Sequence, residues 1–206
     1  MMKRLLILSA LTLLPVSSAM AQTCIGASPL AEGQTRFRGD AIFTSDNRVF
    51  GVGAVRGFEK FFGGGGLLLH SFSGDGGVNL GFYGAGGREL PLGNGSKYSV
   101  CPVVTLARVS FEGGSNLLFN VAGNVGFEVP TTGTTKIFPT FGASISHESI
   151  GNTFGGSFGE TFLNLHLGVG LILNEKVSLV PNLVLPIGSD LVDPSFGVTV
   201  NLKLGS

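Results

Sequence analysis

The chain has 206 residues, no net charge at neutral pH, and 13% charged against 43% hydrophobic residues. That length suits one domain, and the balance leaves no electrostatic footprint for nucleic acid. Thirty-four glycines would suit low complexity, but a regular apolar/polar alternation along most of the chain argues for a folded one.

Lys3 and Arg4 precede a short apolar run, Leu5 to Val16, and Ala19-Met20-Ala21 forms a small-x-small cleavage site before Gln22. Residues 1–21 are therefore expected to be a secretory signal peptide, 22–33 a periplasmic N-terminal segment, and 34–206 one β-barrel domain. The apolar run is too short to span a bilayer as a helix. Cys24 and Cys101 are an even pair in an exported chain, expected to form one disulfide, with two free thiols as the alternative. His70, His147 and His166 show no ligand spacing, so neither a metal nor a cofactor is expected.

Ten strand candidates follow in order: 34–45, 48–57, 61–72, 77–89, 98–111, 117–129, 137–148, 160–173, 177–186 and 195–204. The count falls to eight if 48–57 or 61–72 fails to pair. Lys60, Lys97, Lys136 and Lys176 recur in short turns at about one-hairpin spacing. Pro102, Pro139 and Pro181 each stand early in the strand after such a turn. Between the lysine turns lie clusters at Ser45-Asp46-Asn47, Ser73 to Gly77, Glu112 to Asn116, Ser149 to Gly159, and Gly188 to Pro194. An even strand count puts both ends of the wall on one side, which makes the lysine turns periplasmic and the other set extracellular.

The clearest strand is Thr161 to Leu173. Leu163, Leu165, Leu167 and Val169 share one face, while Asn164, His166, Gly168 and Gly170 share the other. Likewise Phe119, Val121 and Val125 oppose Asn120, Asn124 and Glu128, and Val198, Val200 and Leu202 oppose Asn201 and Lys203. Phe37, Ala41 and Phe43 oppose Arg36, Arg38 and Asp40. A charge at the lipid midplane costs about 2–4 kcal/mol, so the near-absence of charge on the apolar face suits a wall whose apolar side meets hydrocarbon. Aligning the prolines turns Val104 and Leu106 outward and Cys101 inward, and leaves Arg108 facing the headgroup region. The fold class is all-β, a closed antiparallel up-and-down transmembrane β-barrel of about ten strands.

The signal peptide, alternation, lysine-turn repeat and even strand count together resemble the bacterial outer-membrane β-barrel superfamily over about residues 34–204. The resemblance implies folding by the barrel-assembly machinery and residence among outer-membrane lipid and lipopolysaccharide. Such barrels carry Trp and Tyr girdles. Here Trp is absent, Tyr occurs twice, and 17 Phe stand in their place.

The expected lumenal polar set is Arg36, Arg38, Asp40, Asn120, Asn124, Glu128, Asn164, His166, Asn201 and Lys203. Asp40 and Lys203 are expected to pair where the first and last strands meet. His147, Ser149 and Glu160 loosely resemble the histidine base, serine nucleophile and orienting Glu of outer-membrane lipid A deacylases. A polar loop edge explains them more simply, and His147 and Glu160 fall on opposite strand faces. The expected function is a non-catalytic outer-membrane barrel with a structural, surface-interaction or narrow-transport role. The alternatives are a rim-located lipid A-modifying hydrolase and a soluble, lipocalin-like ligand-binding barrel.

Overall fold

The protein is described from a computed structural model covering residues 23–27, 30–58, 61–72, 77–93, 98–152, 156–189 and 192–204. The expected signal peptide, Lys60, Lys97 and the turn at 73–76 lie outside the described residues. Eleven strands run in chain order: β1 (Thr35–Phe43), β2 (Asn47–Gly57), β3 (Phe62–Phe72), β4 (Val78–Gly87), β5 (Leu90–Pro91) and β6 (Tyr98–Phe111). They continue as β7 (Gly114–Phe127), β8 (Thr135–Asn152), β9 (Ser157–Leu173), β10 (Val177–Ile187) and β11 (Ser195–Leu204). β5 is a two-residue addition against β6. The other ten strands form an up-and-down antiparallel ring, closed where β4 pairs with β6 and β1 with β11. Both strands at 48–57 and 61–72 pair along their length, so the count is ten. Closure leaves no strand edge, which a wall in hydrocarbon requires.

The alternation sets the facing. Leu163, Leu165, Leu167 and Val169 are exposed on the outside, while Phe162 and Asn164 are buried inside. Val104 and Leu106 point outward and Cys101 inward. Arg108 is exposed on the outside, near the Glu112-Gly113 turn. An exterior this apolar around a polar interior reverses a soluble barrel, so the lipocalin-like reading does not hold. Several phenylalanines stand at the rims. Phe43 and Phe50 meet edge to face at 6.0 Å, with Phe196 beside Phe43 in register, and Tyr98 packs on Phe127 at the lysine-turn end.

Several boundaries differ from the sequence reading. β7 begins at Gly114 and ends at Phe127, three residues earlier than the alternation suggested at its start. Gly114, Ser115 and Asn116 resemble a turn but pair with Asn152, Gly151 and Ile150. The expected loop from Ser149 to Gly159 is mostly strand, because β8 runs to Asn152 and β9 starts at Ser157. A strand crossing a bilayer at a tilt needs about 9–11 residues. β8 and β9, with 18 and 17, rise as a hairpin past the apolar band.

Candidate functional site in the barrel lumen

The segment before β1 crosses the inside of the wall at the lysine-turn end. Thr23–Ile25 form one 3-10 turn, and Cys24 is bonded to Cys101 of β6. Cys24, Ala27 and Leu30 are all buried, and Cys24 and Leu30 share a small core with Val55, Phe62 and Cys101. Gly26 lies directly on Gly170 of β9 and against Val180 of β10. A side chain at Gly170 would occupy the space of the Gly26 backbone, so only glycine admits this crossing. Pro181 lacks an N–H, and the β9–β10 register skips the Val180 and Pro181 positions beside this contact. The segment then reaches the opposite wall, where Leu30 packs on Gly57 and Gly33 N–H donates to the Gly57 carbonyl at 2.9 Å. The protein thus carries its own plug.

Above the plug the interior is polar. Asn120 of β7 donates to Ser144 and Ser146 of β8 at 2.8 and 2.7 Å, and Asn164 of β9 reaches the same hydroxyls at 3.3 and 2.8 Å. His166 Nε2 shares a hydrogen bond with Ser144 Oγ at 2.8 Å. Asn201 donates to Ser178 at 3.1 Å on the next strand pair. Ser144 and Ser146 escaped the sequence-derived set, although their alternation with Phe141, Ala143 and Ile145 marks them as inward.

On the far side, the Arg38 guanidinium binds the Asp40 carboxylate at 2.7 Å, and the Thr199 hydroxyl donates to the same carboxylate at 2.6 Å. Asp40 is not joined to Lys203 as expected. The β1–β11 register sets Thr199 opposite Asp40 and Lys203 opposite Arg36. Arg36 is buried beside the plug, and Asn124 lines the same space. Glu128 lies just past the end of β7, between Phe127 and a single bridge of Val129 to Ile137. Tyr83 of β4 lies flat inside, its ring over Gly66 and its hydroxyl over Gly53.

Cavities remain in the lumen, two of them walled by described residues of the polar interior. One of about 270 Å³ lies against the plug and includes Arg36, His166 and Asn201 in its walls. The other, about 300 Å³, occupies the half away from the lysine turns and is walled by Tyr83, Asn116 and Glu148 among others. Arg38 and Thr105 border both, so the Arg38–Asp40 pair stands between them.

The three residues weighed as a hydrolase site are not brought together. His147 points outward and shares a hydrogen bond with the Thr161 hydroxyl at 2.8 Å. Glu160 faces inward and accepts from Ser189 at 2.7 Å. Ser149 stands opposite Gly159 in the hairpin. Among the described residues, no cluster of His, Cys, Asp and Glu could hold a metal ion.

No family model and no curated protein matches the sequence. Similar shapes occur among solved bacterial barrels. The N-terminal β-barrel domain of Pseudomonas aeruginosa OprF is 11% identical, with a TM-score of 0.47, and 84% of this chain aligns with 98% of that one. The β domain of the Bordetella autotransporter BrkA is 16% identical, with a TM-score of 0.49 and coverage of 82% and 97%. Neisserial surface protein A is 12% identical, with a TM-score of 0.43 and coverage of 83% and 94%. The likeness is one of barrel shape and goes no further.

Proposed function

We propose that the chain is a small, non-catalytic barrel of the bacterial outer membrane, with a structural or surface-interaction role, its lumen closed by its own N-terminal segment. The observation that carries this reading is the plug. Cys24, Ala27 and Leu30 are buried at the lysine-turn end of a barrel whose outside is a belt of exposed leucine, valine and phenylalanine. With the lysine turns and both wall ends in the periplasm, the long β8–β9 hairpin stands outside the cell as the part within reach of partners. Outer-membrane lipid and lipopolysaccharide would surround the apolar belt, and the barrel-assembly machinery would insert it.

Planar-bilayer recording tests the closed lumen. The purified protein is expected to need detergent for extraction, to migrate differently before and after heating, and to pass little or no steady current. The Cys24→Ser/Cys101→Ser double variant is expected to flicker open. Stable ohmic conductance by the wild-type protein would replace this reading with a transport role. Solubility without detergent would remove the membrane assignment altogether.

A further inference from the structure

The cavity of about 300 Å³ in the half of the lumen away from the plug combines an apolar wall with one carboxylate. Its wall is largely aliphatic, with Ile42, Val49, Leu68 and Leu118 facing it. Glu148 lines the same space, and no cation among the described residues is paired with it. A carboxylate kept beside apolar walls favours a partner of opposite charge.

The charge balance says what kind of group that is. The Arg38 cation is already held by Asp40. The Glu148 carboxylate accepts from the Asn116 amide Nδ2 and keeps other lone pairs for a second donor. The carboxylate therefore calls for a donor, and the formal charge left over at the cavity is the negative one on Glu148.

We propose that this cavity binds small cationic amphiphiles: a primary ammonium against Glu148, with an apolar body of about ten non-hydrogen atoms among the aliphatic residues. The volume equals about ten water molecules in the liquid, at the low end for small-molecule sites. The site lies beyond the Arg38–Asp40 pair from the plug, so a ligand enters from the rim opposite the lysine turns and need not pass through the barrel.

The test uses the full-length mature protein in lipid nanodiscs and three probes of one shape: 2-phenylethylamine, 2-phenylethanol and phenylacetate. Saturation-transfer NMR and amide shifts near Asn116 report binding. The amine is expected to bind saturably, about tenfold tighter than the alcohol, with the gap arising from the charge-assisted bond, and the anion not at all. Glu148→Gln should bring the amine down to the alcohol. Ala107→Phe, which fills the cavity from its wall, should abolish both, with heat-modifiable migration confirming that the variant barrel is folded. If Ala107→Phe does not fold, Leu118→Phe fills the same space from β7. No saturable binding, equal binding of the anion, or binding that persists in a folded, filled variant would each overturn the proposal.

Discussion

The wall has two unlike halves. β6 to β9 run 14, 14, 18 and 17 residues, whereas β1 to β4 run 9, 11, 11 and 10. In the long half the inner face is tied by side chains, through the Asn120, Ser144, Ser146, Asn164 and His166 hydrogen bonds across β7, β8 and β9. The short half has glycine where those groups would stand, and Tyr83 covers Gly53 and Gly66 instead. One half is cross-linked by many small polar contacts; the other sets one large ring in close contact with bare backbone, beside the Arg38–Asp40 pair. The plug belongs to both, since Gly26 rests on β9 while Leu30 rests on β2.

That division can be broken at three points. Gly170→Leu should have the largest effect, because backbone rather than a yielding side chain occupies the space its Cβ needs. A loss of about 3 kcal/mol or more is expected in urea unfolding from lipid, together with failure of Cys24 to pair with Cys101 on non-reducing gels. Normal pairing and wild-type stability would mean that the segment does not cross there. Tyr83→Ala comes next. It removes a half-buried ring that spans two strands, at an expected cost of about 2 kcal/mol, and hydrogen exchange should quicken in β2 and β3 but not in β8. Equal quickening in both halves would deny their independence. Asn164→Ala should cost least, about 1 kcal/mol, because Asn120 still bonds to both serines. A cost equal to that of Tyr83→Ala would show that the polar ladder, not the ring, governs stability.

Much of this architecture could be read from the residues. Leu163, Leu165 and Leu167 alternate with Asn164 and His166, and period-two alternation directly reports which face is wet. Glycine-rich segments hid their state. Ser149 to Gly151, Ser157 to Gly159 and the triplet Gly114-Ser115-Asn116 have turn composition, yet all are held in strand by their partners across the hairpin. The partner of Asp40 was illegible because it depends on register, which sets Thr199 rather than Lys203 across from it. The plug had no periodicity to betray it. Its traces were the expected bond from Cys24 to an inward Cys101, and the apolar, buried Phe138, Ile172 and Val180 on an otherwise polar inner face.

The bond from Cys24 to Cys101 encloses the whole of β1 to β4 in one covalent circuit. The join between β1 and β11, by contrast, is held by hydrogen bonds alone. If that join parts, the first strand cannot drift away, because its leading end stays leashed to the middle of the ring. Sideways opening towards lipid would then be a brief, self-healing breach rather than the start of unravelling.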